Sequence, residues 1–538
     1  MIDRNPACRL TPRALLRIAL LAGTALVAAP SSSFADSDDG FRDGGDRGFR
    51  DGDDRRDRDD DRRFELRHDS LVISSSTYVK DRGALATLVP GTPIANTNTA
   101  TQPAVAGNNY VQVWNNAPVD GSFGVTSPIE LLDVDAFSGH VFGAIKVPTD
   151  QVVTSFSSKS EMGLHTAHDW RGTHIIFVAY AGPGVGALDV SNSDAVAGQD
   201  PTNPVTFAFG ANYAFHRTIV SMDDDGRFSY TPTIAYGGNN GRSALLGSSG
   251  LYYSVGNANN GNAASFGSAT NGTNPDVTET TGLEVVEPIN APFADVAPTT
   301  SAEVDPLLQF TFPSKKPDKP GKDDNFRGVT EFGGALYFTK GSGGNGIDTV
   351  YTVPTLPTLA NAASQTITIV PGFPTDSAKA TGGDFTPFAV FFANATTMYV
   401  TDEASGDATD VKSHAGLEKW SLVNGTWQLD YVLTNDLVGL VDNLTGADGP
   451  YPTVTTVGLR NLTGKVNHNG TVTLWATTST ASASGDQGAD PNRVVRITDN
   501  LAATTMTPAV AAESFVTIAG PTYGKVYRGV AFVDSDDF

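Results

Sequence analysis

The chain has 538 residues, a formal net charge of −23, 18% charged and 39% hydrophobic residues, 56 Gly, 31 Pro and one Cys. This balance excludes a coiled coil, a disulfide scaffold and a nucleic-acid binder held by net charge. Length alone suggests three or four domains, unless a repeat pattern builds one large unit.

Residues 1–35 read as an export signal. Arg4, Arg9, Arg13 and Arg17 flank or enter an apolar run from Leu15 to Ala29, and Ser33, Phe34 and Ala35 supply a small-residue site, so cleavage is expected after Ala35. The run is too short to span a bilayer, which takes roughly 20 apolar residues, and Arg17 interrupts it. The mature chain is therefore expected to carry no transmembrane segment. Processing also removes Cys8, the only cysteine, and takes the net charge to −26. A cysteine-free exported chain has no disulfide, thiol nucleophile, Cys-ligated zinc or iron–sulfur cluster, and this suits a bacterial periplasm or culture medium.

Residues 36–63 hold 12 Asp and 8 Arg, with Phe41 and Phe49 as the only large apolar side chains. Such a stretch has nothing to bury and is expected to be a disordered, solubilising leader.

From Phe64 onward the composition turns to Thr, Val, Ala, Gly and Asn in short alternating stretches between turn residues, an all-β signature. One strand type recurs: Leu71–Tyr78, Ile176–Tyr180, Leu251–Gly256, Leu336–Lys340, Met398–Asp402 and Leu474–Thr478 share an apolar-aromatic-apolar-small pattern, loosely in the first. A second motif precedes most of them, opening at Arg242, Arg327, Phe388 and Arg460. Hairpins follow, with turns at Asp225-Gly226 and Asn424-Gly425. The spacing predicts four-stranded antiparallel blades with loop insertions between them. The last element, Tyr527 to Val533, matches the first-strand motif at Phe326 to Phe332 but has no second strand after it, whereas Leu71–Tyr78 has no first strand before it. The fold expected is an all-β, six-bladed β-propeller over residues 64–538, closed by the C-terminal strand pairing into the first blade. A seventh blade is expected only if Asp295 to Pro320 hides one.

These second strands, LYFTK and MYVTD with their Gly or Asn turns, resemble those of exported six-bladed propellers of the NHL, YVTN and gluconolactonase-like kind. The gluconolactonase-like resemblance implies a Glu, Asn and Asp metal set at the central opening and lactone hydrolysis. The Glu-Gly pair expected at the first blade is missing here, so no catalytic residue is carried over.

Arg242, Arg327, Arg460 and Arg528 open the expected innermost strands. Converging guanidinium groups at a channel mouth make an anion or carboxylate site; paired with nearby acids, they staple blades instead. Asp323, Asp324, Asp486 and Asp490 are the candidate partners, and equally the candidate oxygen ligands of a Ca²⁺ ion. Asp223, Asp224 and Asp225 read as turn residues. Asp402 and Glu403 read either as paired carboxylates or as a solvated loop. His165, His168 and His174 lie around a strand-turn-strand without metal-site spacing. The functional expectation is a monomeric, periplasmic or secreted binding module whose partner is a small anionic ligand or a protein, with long loops at 98–128 and 256–283 favouring recognition. A metal-dependent hydrolase of lactonase or esterase type is the alternative.

Overall fold

Blades 3 to 6 are each built from antiparallel strands that follow one another along the chain, many joined by short hairpin turns. The computed structural model describes residues 64–87, 93–95, 101–103, 125–187, 216–258, 280–306, 324–341, 346–377, 383–407 and 413–535, apart from positions 157, 170, 171, 183, 237, 238, 295, 297, 447, 448, 485 and 486. They belong to the unit Arg62–Phe538. The expected export signal, the Asp/Arg leader and most of both long loops lie outside the described residues.

Blade 1 runs outward from Lys525–Val533 through Ser70–Thr77 and Ile129–Asp135 to Val141–Lys146. The last strand of the chain is thus the innermost strand of the first blade, with Leu71 opposite Phe532 and Ile73 opposite Val530. Blade 3 comprises Gly241–Leu246, Tyr252–Gly256, Gly282–Val286 and Ser301–Glu303; blade 4 comprises Val329–Phe332, Ala335–Lys340, Thr349–Val353 and Thr368–Ile369. Blade 5 comprises Pro387–Asn394, Thr397–Asp402, Gly416–Val423 and Thr426–Leu433; blade 6 comprises Val454–Val466, Thr471–Ser482, Val494–Asn500 and Val516–Ala519. The Asn424-Gly425 turn has φ of +53° and +81°, the two left-handed residues that a two-residue hairpin requires. The described residues form six blades.

Blade 2 departs from the pattern. Its second, third and fourth strands are Gly172–Ala181, Arg217–Met222 and Phe228–Thr233, but two pieces, Val152–Ser155 and His165–Asp169, share its innermost position against Gly172–Ala181. The described residues between them, 156 and 158–164, leave the sheet. This is why no first-strand motif precedes Ile176.

Six apolar layers fill the spaces between blades. Val72, Leu131, Phe177 and Val220 join blades 1 and 2; Ile176, Ile219, Tyr252 and Val286 join blades 2 and 3; Tyr253, Leu283, Leu336 and Phe338 join blades 3 and 4. Val350, Phe392, Val400 and Trp420 join blades 4 and 5, and Tyr399, Leu417, Leu459 and Leu474 join blades 5 and 6. The layer of Leu71, Ile73, Trp475, Val530 and Phe532 joins blade 6 back to blade 1 and closes the ring. The innermost strands likewise touch in a closed circuit. No described helix is long and apolar enough to cross a membrane.

Candidate functional site in the central channel

A β-bulge recurs on the innermost strands and aims the side chains found in the channel. In blade 3 the register slips between Gly241 and Ser243, leaving Arg242 in the bulge. In blade 6 it slips between Leu459 and Leu462 around Arg460, and in blade 1 the slip lies at Arg528 and Gly529. In blade 4 both Arg327 and Gly328 bond to Thr339. Blade 5 bulges at Phe388. An extra residue in one strand bends the ladder and redirects a side chain, so the repeated Arg is the repeated bulge residue.

All four arginines are buried, at 3% exposure for Arg242, 5% for Arg327, 4% for Arg460 and 3% for Arg528. Each reaches a neighbouring blade or the chain crossing the channel. Arg242 donates to the Phe326 carbonyl at 2.7 Å, Arg327 to the Ser160 hydroxyl, Arg528 to the Phe156 carbonyl and Arg460 Nε to Glu403 at 3.2 Å. Stapling is therefore real, but none of these bonds uses the four expected aspartates. Asp323 and Asp486 lie outside the described residues. Asp490 accepts from Tyr451, Ser482 and Ser484 at 2.6–2.9 Å and feels Arg460 only at longer range. Asp324 is grouped with Glu284 and Glu303 of blade 3. The structure thus gives Asp324 and Asp490 different surroundings. Among the described residues no group of three or more His, Cys, Asp or Glu side chains is arranged to hold a metal ion.

The sequence reading missed the segment 156–164, which enters the channel because blade 2 has an interrupted inner strand. Gly163 bonds to the Arg242 carbonyl at 3.1 Å, and Ser74 donates to the Met162 carbonyl at 3.1 Å, anchoring the segment to blades 3 and 1. It delivers Lys159, Ser160 and Glu161 to the arginines. Lys159 pairs with Glu403 of blade 5 at 3.0 Å, its side chain 28% exposed against 2% for Glu403. Of Asp402 and Glu403, only Glu403 faces the channel. Asp402 is buried and accepts from the Thr386 amide and hydroxyl, both at 2.6 Å, and from the Ala404 amide at 2.8 Å. The two are neither a catalytic pair nor a solvated loop.

Glu161 accepts from the Thr154 hydroxyl at 2.8 Å and the Ser155 amide at 3.1 Å, and it also meets the Tyr180 hydroxyl. That hydroxyl is 2.8 Å from the Asn240 side-chain oxygen. One phenol proton cannot serve two acceptors. Burial pushes the Glu161 carboxyl upward, against the pull of the hydrogen bonds from Tyr180, Thr154 and Ser155.

The Lys159–Glu403 pair reports the sign of the local potential. Burial, then the nearby Arg327 and Arg460, push Lys159 down to about 8 against the pull of Glu403. Burial alone would raise Glu403, yet Lys159, Arg327 and Arg460 hold it at about 2. An isolated ion pair would raise its base and lower its acid. Here both fall: burial, helped by Arg327 and Arg460, lowers Lys159, and the same cations with Lys159 hold Glu403 ionised.

The histidines form no common site. His165 meets the Ser243 hydroxyl at 2.8 Å, and burial pushes it down to about 4. His168 meets Thr173 at 3.1 Å, and His174 lies between Asp169 at 3.1 Å and Ser221 at 3.3 Å.

No family model matches the sequence, nor does any curated protein. Solved structures that resemble the chain include a mutant of AofleA from Arthrobotrys oligospora (11% identity, 72% of this chain and 92% of that one, TM-score 0.27). Others are an ulvan lyase of a new polysaccharide lyase family (9%, 82% and 95%, 0.30) and a neuraminidase-like protein of A/flat-faced bat/Peru (14%, 75% and 98%, 0.28). At such scores the propeller rests on its own six sheets.

Proposed function

We propose that the chain is an exported binding module whose propeller takes a small carboxylate or comparable anion at the central arginine cluster. The observation that carries this reading is the unbalanced charge. Lys159, Arg327 and Arg460 hold Glu403 ionised and Arg242 feels the same carboxylate, while Arg528 acts on Glu161; Arg242 Nε and Arg460 Nη2 have no hydrogen-bond partner. Buried, incompletely paired guanidinium groups are costly, and a carboxylate offers the bidentate acceptor they fit. Lys159, the most exposed of the five, is the group an incoming anion meets first. Residues 1–35 as export signal, 36–63 as leader and 64–538 as one propeller domain complete the proposal, as does kinship with NHL, YVTN and gluconolactonase-like propellers, supported by the recurring second strands.

Calorimetric titration of the mature chain with acetate, a uronic acid, sulfate and phosphate tests the reading. Binding is expected, weakened at least about tenfold by Arg460→Gln or Arg242→Gln, each removing roughly one charge-assisted hydrogen bond. If no anion binds the wild type and both variants merely melt earlier, the arginines are staples and the reading is overturned.

A further inference from the structure

Blade 3 holds a second concentration of charge, of opposite sign to the arginine cluster. Glu284, in the strand Gly282–Val286, lies directly opposite Glu303 of the adjacent strand, and the Thr280 side chain sits against its carboxylate. Glu284 has 0% exposure, and neither of its carboxylate oxygens accepts a hydrogen bond. Asp324 leans over the same face, since a Cβ placed on Gly282 would lie 3.2 Å from the Asp324 Cβ and 3.3 Å from its Oδ2. The Thr280 hydroxyl and the Asn325 side-chain oxygen are also buried without hydrogen-bond partners. Glu303 accepts from the Thr281 amide.

The charged groups acting most strongly on Glu284 and Glu303 are Asp324, Asp305 and each other. Burial first, and these carboxylates second, push Glu284 up, and Glu303 to about 10. Like charges directly opposite in a sheet destabilise it, and a buried carboxylate without partners costs more still. A set of carboxylate, hydroxyl and amide oxygens, with no nitrogen or sulfur, suits a hard divalent cation, and calcium tolerates its irregular geometry better than magnesium.

We propose that Glu284 and Asp324, with the Thr280 hydroxyl and the Asn325 side-chain oxygen, form a structural Ca²⁺ site that ties blade 3 to the segment entering blade 4. Two carboxylates plus neutral oxygens make such a site without a third acidic ligand, and Glu303 completes its charge from the next strand.

The test uses the full mature chain, stripped with chelator and titrated with CaCl₂ by calorimetry and thermal melting, with MgCl₂ alongside. Expected are one bound Ca²⁺ per chain and a melting temperature raised by about 2–5 °C. Glu284→Gln should abolish that response while melting no lower than the stripped wild type, because Gln matches in shape the neutral carboxyl that burial favours. Thr280→Val, milder for folding, should weaken binding about tenfold. An undiminished calcium response in both variants places the ion elsewhere, as in the Asp-rich leader, and overturns the proposal. A wild type indifferent to calcium but stabilised on acidification holds a shared proton there instead, which overturns it equally.

Discussion

Glu403 is the residue on which the central charge balance turns. Its carboxylate bonds to Lys159 at 3.0 Å and Arg460 at 3.2 Å, so Glu403→Gln leaves several buried cations without their counter-charge. A loss of about 3–5 kcal/mol in urea unfolding is expected, and it should shrink when Lys159→Met is added, as a double-mutant cycle would show. The pH dependence has two arms. Glu403 titrates at about 2 in the folded chain, below its ordinary 4.5, so its stabilisation is complete above that ordinary value and lost as pH falls through 2. Lys159 titrates at about 8 against an ordinary 10.5. The folded chain releases that proton first, so a penalty present below pH 8 is relieved between 8 and 10.5. Subtracting the Lys159→Met stability profile from that of the wild type should isolate this alkaline rise; a flat difference would refute the crowded-cation reading.

The closing strand and the segment crossing the channel are the elements that make one site from six blades. Trp475 of blade 6 stacks on Phe532 at 4.9 Å and donates to the Ala136 carbonyl at 2.6 Å, which fastens blade 6 to both ends of blade 1. Trp475→Ala is expected to cost about 3–5 kcal/mol. Deleting residues 525–538 exposes the edge of Ser70–Thr77 and should produce soluble oligomers or precipitate in size-exclusion chromatography, since an unpaired edge templates further pairing. Where the closing strand passes the crossing segment there is no room for a side chain: a Cβ on Gly529 would lie 2.7 Å from Leu164 Cγ and would also meet the Met162 carbonyl. Gly529→Ala should therefore destabilise by about 1–3 kcal/mol and displace Lys159 from Glu403. A variant that kept wild-type stability and anion binding would show that the segment is not seated as described.

At the scale of the whole molecule, six apolar layers joined in a ring leave no free end from which blades can peel. Open repeat arrays unfold by sections, whereas closure links every layer to the next. One cooperative denaturation transition is expected for the described body. Trp475→Ala should move that whole transition, and an early partial step confined to blades 1 and 6 would contradict it.

The period of two, the turn residues and the recurring motifs are local properties, and they carried the strand type, the second strand of every blade and the closing match between Tyr527 to Val533 and Phe326 to Phe332. The four arginines were legible for the same reason: a bulge repeated at one place in four of the blades leaves a repeated residue in the sequence. Lys159 and Glu161 left only a negative trace, the missing first-strand motif before Ile176, because they sit where the repeat is broken. Glu403 was visible but unassigned, since nothing local distinguishes an acid that faces a channel from its neighbour that caps a turn. Glu284 and Glu303 gave no signal, as each is an ordinary strand residue until the register sets one opposite the other. The sequence by itself thus determined how each blade forms, through hydrogen bonding and alternation between near neighbours. Which charges meet was decided only by the tertiary structure, because electrostatic energy depends on distance and burial between residues far apart in the chain.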